Sequence, residues 1–589
     1  MRLDSFIRGL TIARPAALFL SALLVSSAAP AQEPADPRVG LRAGWRDAGQ
    51  AASNLELVAH REKPAGWFDT RQPGSFAYAN SDLAFQGTRV FQGGWRGFHV
   101  WDIANPSSPA LLTSFVCPGG QGDPSVYGNL LFLSVEETSG RVDCGTQGVR
   151  DTVSAERFRG VRIFDITDIQ RPMQVAAVQT CRGSHTHTLV TDPTDSSRVY
   201  VYVSGTSVVR SPSELAGCSG RPPEEDPNTS YFRIEVIEVP LARPQDARVV
   251  NMPRLFADTA GAIAGLWKGG AHGEGTQTTS QTNQCHDITV YPAIGLGAGA
   301  CAGNGILIDI SDPANPTRLD EVIDPNFAYW HSATFNNDGS TVLFTDEWGG
   351  GTQPRCRATD RPEWGADAIF TLRDRRLRFA SYYKIPAAQT ATENCVAHNG
   401  SLIPVPGRDI MVQAWYQGGV SVVDFTDPHE PKEIAYFDRG PMSDSTLMLS
   451  GHWSAYWYNG LIVASEIGRG LDILRLTPSE HLSENELEAA RLIQLDEFNA
   501  QLQPKFDWPA SFVVARAYLD QLLRDDGLRR AWAEPVQREL ARAESLRGAA
   551  RRQALTQLAT RLDRDAETAG DAKRVSALAG VVRRLAAAQ

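Results

Sequence analysis

No C-x-x-C pair occurs among the eight cysteines, which argues against a zinc ribbon or a thioredoxin-like redox centre. Nucleophile elbow, P-loop and dinucleotide fingerprint are also missing, so the common signatures of acyl transfer, nucleotide hydrolysis and hydride transfer give no lead. The chain has no basic excess. It carries 57 Lys+Arg against 68 Asp+Glu, a formal net charge of -11, which argues against a nucleic-acid partner. Downstream of the N-terminus no apolar run approaches the roughly 20 residues needed to cross a bilayer. Asp346-Glu347-Trp348-Gly349-Gly350-Gly351 is acidic and turn-like but lacks the spaced acids of an EF-hand.

The first 31 residues read as an export signal. Arg2, Arg8 and Arg14 form a basic leader, Pro15 to Val25 a short apolar run, and Ala29-Pro30-Ala31 an A-x-A cleavage site. The mature protein is thus expected outside the cytoplasm, periplasmic or extracellular, with no membrane span after cleavage. The cysteines agree, since an even count in an exported chain favours disulfides. Eight cysteines allow 105 connectivities. Pairing sequence neighbours gives 117–144, 181–218, 285–301 and 356–395, each closing one inserted loop.

Gly (51) and Pro (35) are plentiful, as expected for many short strands joined by turns. One unit recurs: Gly, alternating apolar residues, Asp, then a Pro-containing turn. It reads GFHVWDIANPSSP from Gly97, GVRIFDITDIQRP from Gly160, GILIDISDPANP from Gly305 and GVSVVDFTDPHEP from Gly419. Degenerate copies start at Tyr231, Asp367 and Gly470, making seven. Period-two alternation marks a strand with one buried face, and further strands flank each copy. Four strands per repeat, at spacings of roughly 40 to 70 residues, describe a propeller blade. The expected fold is all-β, a seven-bladed β-propeller over residues 53–476, with an α-helical domain over 479–589. The last repeat lacks a fourth strand, and Asn54 to His60 is expected to supply it and close the ring. From Ser479 the apolar spacing becomes helical, and Ser483 to Glu486 forms a capping box.

The repeat unit resembles the LVIVD-repeat family of exported bacterial propellers, most closely at Gly305 to Pro313 and Gly419 to Asp424. The resemblance spans about 53 to 476. It implies a propeller and an exported location, and little about activity, because fold does not fix function.

Five repeats open their first strand with His-x-x-(Ser/Thr/Ala)-apolar, at His185, His286, His331, His398 and His452. The other two place Ser81-Asp82 and Gly122-Asp123 there. First strands line a propeller's channel, so these histidines should converge at one mouth. The second strand runs antiparallel, which brings Glu136, Glu347 and Glu466 beside them; His187 lies two residues beyond His185. Imidazole with carboxylate is a ligand set for Zn, Cu or Fe. Repeated histidines can instead be structural, bonding a neighbouring turn as in WD40 propellers. Two functions follow. One is an interaction protein binding a protein or glycan of the envelope or extracellular space. The other is a metal-dependent enzyme, oxidoreductase or hydrolase, using the histidine–glutamate cluster.

Overall fold

The computed structural model describes residues 36–258 and 260–588; the signal sequence expected over 1–31 lies outside them. The β region is mostly small antiparallel sheets in a propeller-like succession. The first contains Asn80–Gln86, Arg89–Gly94, Gly97–Asp102 and Ala110–Val116. The second contains Pro124–Tyr127, Leu130–Val135, Gly160–Asp165 and Met173–Gln179. The third runs from Thr188–Thr191 to Arg248–Asn251, the fourth from Ile288–Tyr291 to Thr317–Val322, and the fifth from Trp330–Phe335 to Arg376–Tyr383. The last two repeats share one nine-stranded ladder, joined by a short parallel pairing of Asn399 and Gly400 with Ser454 and Ala455.

The recurring unit owes its composition to local chemistry. Its Asp accepts a hydrogen bond from the backbone N–H two residues on: Asp102 from Ala104, Asp165 from Thr167, Asp309 from Ser311 and Asp424 from Thr426. Such a turn ends the strand before the proline can disturb the ladder. The opening glycine has a steric cause. At Gly97 and Gly160 φ is 138° and 146°, and a Cβ would run into the carbonyls of Phe115 and Val178 on the next strand. The alternating apolar residues fill the space between successive sheets. Phe91, Phe98 and Val100 of the first meet Val126, Leu131 and Phe164 of the second, all fully buried.

Strand pairing supports ring closure by the N-terminal segment. Leu55–Glu62 pairs antiparallel with Gly470–Leu476, supplying the strand the last repeat lacks. The preceding Gln50–Ser53 adds to the edge of Lys432–Arg439. Between them Asn54 adopts φ 56°, which lets the chain step from one edge to the other, and its Nδ2 donates to the carbonyl of Ile434. The four expected disulfides are formed: Cys117–Cys144, Cys181–Cys218, Cys285–Cys301 and Cys356–Cys395.

Five helices follow among the described residues: α1 Glu484–Arg491, α2 Phe512–Arg524, α3 Arg530–Ser545, α4 Gly548–Ala566 and α5 Ala572–Ala587. Ser483 and Glu486 form the capping box. Glu486 is fully buried and also receives Arg408 of the sixth repeat and Arg524 of α2, which ties the bundle to the sheets.

Between α1 and α2 the chain is extended and returns to the sheets. Glu497–Asn499 pairs with the first strand of the first sheet, Asn80–Gln86. The Asn499 amide then both donates to and accepts from the backbone of Val126, and the Gln503 amide does the same with Phe335. Val290 of the fourth sheet exchanges backbone bonds with Gln501 and Gln503. One segment thus satisfies the inner strands of four repeats, on the side where those strands end. No helix of the described residues is long and apolar enough to cross a membrane.

Candidate functional site

The opposite ends of the inner strands, where they begin, carry the histidines. His185, His286, His331 and His398 form a continuous row. Ring centroids are 4.4 Å apart from His185 to His286, 3.9 Å from His286 to His331 and 4.1 Å from His331 to His398. Four of the five strand-opening histidines therefore converge, each delivered by a different repeat.

The row has two electrostatically different ends. At the first end His185 Nδ1 meets Glu136 at 2.7 Å and its Nε2 meets His286 Nε2 at 2.8 Å. His286 Nδ1 lies 3.0 Å from Asp287. Carboxylate, imidazole, imidazole and carboxylate are thus in one hydrogen-bonded chain. Burial works against a charged His185, but the adjoining Glu136 outweighs it and lifts the imidazole above its ordinary value. Burial would raise the Glu136 carboxyl, and His185 holds it below its ordinary value. An imidazolium at His185 donates to both neighbours and leaves His286 accepting at Nε2.

The other end is short of protons. His331 is fully buried, and neither ring nitrogen has a hydrogen-bond partner. His398 Nδ1 faces the carbonyl of Trp453, so it carries the proton and leaves the unpartnered Nε2 as a free lone pair. Glu347 stands 3.9 Å from each of His331 Nε2 and His398 Nε2, and Tyr416 donates its hydroxyl to the same carboxylate. Burial, reinforced by neighbouring imidazoles, pushes His331 well below its usual value, and burial holds His398 at about 3; both are neutral. Burial raises Glu347.

Two overlapping groups bring one ligand atom per residue within 4.8 Å of the others: His331, Glu347 and His398, and His286, Asp287 and His331. The first group is better prepared, because in the second both His286 nitrogens are already engaged. A cavity of about 450 Å³ opens onto the row, with His185, His286 and Glu347 in its wall and Phe76, Trp95 and Trp453 around it.

The remaining candidates sit elsewhere in the bonding pattern. His452 Nε2 bonds Asp472 at 2.8 Å, and Asp472 also receives Arg439 and His60. Glu466 accepts from the backbone of Gly451 and pairs with Arg469 at 3.0 Å. His187 Nδ1 meets Ser134 at 2.8 Å. Tyr416, Asp287 and Trp453 were not singled out from sequence as site residues. Of these, Asp287 and Trp453 each directly follow a strand-opening histidine, which is a readable signal; Tyr416 has none.

The LVIVD repeat model matches residues 82–116 and 300–322, so this chain carries LVIVD repeats at two places. No curated protein matches the sequence. Among solved structures, the periplasmic gluconolactonase PpgL of Pseudomonas aeruginosa aligns at 12% identity, TM-score 0.38, over 68% of this chain and 99% of its own. Hydrazine synthase of Kuenenia stuttgartiensis aligns at 11% identity, TM-score 0.39, over 70% and 99%. A Lactobacillus plantarum protein aligns at 10% identity, TM-score 0.38, over 66% and 89%.

Proposed function

We propose that the chain is an exported, seven-bladed LVIVD-type propeller that binds a transition metal through His331, His398 and Glu347 and acts as a metal-dependent enzyme on a small molecule held in the adjoining cleft. The observation that carries this reading is the state of the two imidazoles. A fully buried His331 with both nitrogens unpartnered is costly as it stands, because each buried polar atom without a partner costs about 1–3 kcal/mol. His398 has its second nitrogen committed to a carbonyl, the arrangement that aims a histidine at a metal.

Two neutral imidazoles and one carboxylate suit Zn in a hydrolytic site or Fe in an oxidative one, and both leave positions open for water or substrate. Bound there, the metal would act as a Lewis acid or redox centre. Tyr416 fixes the Glu347 carboxylate, and the His185–Glu136 pair stands at the open side, placed to take or give a proton. Phe76, Trp95 and Trp453 give the cleft an aromatic wall for the substrate. His452 and Glu466, with partners of their own, serve the framework in this reading.

The test is elemental analysis of the purified protein alongside His331→Asn and His398→Gln. About one Zn or Fe per chain, lost in both variants while their melting curves remain cooperative, is the expected result. A metal-free wild type that takes up neither ion on titration would overturn the proposal. It would leave the interaction reading, in which the same aromatic cleft receives an envelope protein or glycan.

A further inference from the structure

The cleft in front of the histidine row selects by what its wall offers and by what it withholds. It has a volume of about 450 Å³. Aromatic rings lead into it one after another, from Phe76, which is 47% exposed, through half-buried Trp95 to buried Trp453. Centroids are 5.5 Å apart from Phe76 to Trp95, 5.6 Å from Trp95 to Trp453 and 4.9 Å from Trp453 to His398. Interplanar angles of 60°, 79° and 72° set each ring edge-on to the next. Rings so arranged present both faces and edges, and a further ring is favoured against either at the same spacing.

The second observation is what the wall lacks. No lysine, arginine or aspartate lines the cleft among the described residues. The polar side chains that do line it are committed. Both His185 nitrogens are bonded, to Glu136 and His286, and the second His286 nitrogen meets Asp287. Tyr416 donates to Glu347, and Gln121, 1% exposed, donates to Asp123. A carboxylate or phosphate entering here would lose its water and find no lysine or arginine in exchange. An ammonium group would stand beside a metal ion of the same sign. A sugar would bring several hydroxyls to a wall whose polar side chains are taken, and each unmet hydroxyl is costly.

We infer that the substrate of this site is an uncharged aromatic compound of roughly one or two fused rings, held by Phe76, Trp95 and Trp453, with its one polar group, an oxygen, turned to the histidine row. The inference rests on the reading of His331, His398 and Glu347 as a metal site, and it adds the chemical class of what that site receives. Apolar ring surface supplies the affinity, and the absence of free charge in the wall supplies the selectivity.

The test is isothermal titration calorimetry of the full chain at neutral pH, as purified and after stripping with EDTA and dialysis. The probes are 2-naphthol, its saturated counterpart 2-decalol, the anion 2-naphthoate, the cation choline, and methyl glucoside. One 2-naphthol per chain is expected in both preparations, with every other probe weaker by about tenfold or more. Trp95→Ala and Phe76→Ala should each weaken 2-naphthol by about tenfold while keeping the wild-type metal content and a cooperative melt. Naphthoate, choline, decalol or glucoside binding as tightly as 2-naphthol overturns the inference, as do two variants that bind 2-naphthol as the wild type does. A chain that takes up no metal yet binds 2-naphthol selectively keeps the cleft assignment and loses the metal reading. A chain that holds metal and ignores 2-naphthol loses this inference alone.

Discussion

Residues of one kind, at one repeated position, do different work here. His331 and His398 present free nitrogens, His185 and His286 are engaged in a proton-bearing chain, and His452 braces Asp472. The difference is set by partners rather than by the repeat. Asp472 is fully buried and receives Arg439, His452 and His60. Burial alone would raise it, and Arg439, with the hydrogen bonds to His452 and His60, holds it well below the usual carboxylate range. Asp472→Ala would leave the buried Arg439 without its counter-ion, so we expect about 3–5 kcal/mol of destabilisation by denaturant melt. His452→Ala should cost less and leave bound metal unchanged. Equal metal loss in His452→Ala and His398→Gln would show that the row extends to the seventh repeat.

Asp438 sets a pH dependence. Burial and the nearby Glu393 push its carboxyl up to about 7. A group whose folded value lies above its unfolded value of about 3.9 binds more protons folded than unfolded between the two. Its contribution to stability is therefore full below pH ~4 and is lost as pH rises towards 7. Asp438→Asn should remove that part of the slope and stabilise the protein at pH 8, since Gln389 can turn its unpartnered carbonyl towards the new amide. An unchanged slope in urea melts from pH 5 to 8 would count against this.

Among the elements, the repeat strands were the most readable. Alternation, an opening glycine and a strand-ending Asp each have a local physical cause, and a local cause leaves a sequence signature. Convergence of the four histidines followed because they share one strand position. What stayed hidden was selection among equals. Locally, only the Gly451 before His452, like the Gly-His pair of WD40 propellers, tells it from His398; the partners that set their roles, Asp472 for His452 and the Trp453 carbonyl for His398, come from elsewhere in the fold. The extended stretch after α1 was hidden for the same reason. Glu497–Asn499 and Gln503 take their conformation from strands hundreds of residues away. Gln503→Ala removes two bonds to the backbone of Phe335 and leaves those groups buried. A cost of about 2–4 kcal/mol follows from unpaired backbone donors and acceptors. Asn499→Ala should behave alike at Val126, and a change below about 0.5 kcal/mol in both would show that the segment is loosely held.

At the scale of the whole molecule, the disulfides and the N-terminal strand act against the same weakness. A ring of sheets is only as firm as its closure and its inserted loops. The four disulfides span 27, 37, 16 and 39 residues. Loops of that size favour the folded chain by about 3–4 kcal/mol each when closed, on the chain-entropy account. Reduction should therefore lower the melting temperature sharply, which fits a protein made for an oxidising compartment. Melting curves that coincide with and without reductant would contradict that account.

The segment that fills the inner strand ends has one more consequence, for the order of events at birth. Residues 497–503 leave the ribosome after every sheet of the ring. Until they arrive, the inner edge of the first sheet at Ala84 to Gln86 has no neighbour, and open edges invite pairing with other chains. A chain cut before Glu497 would therefore leave that edge open to pairing with other chains, so a late segment shields an edge that forms within the first hundred residues.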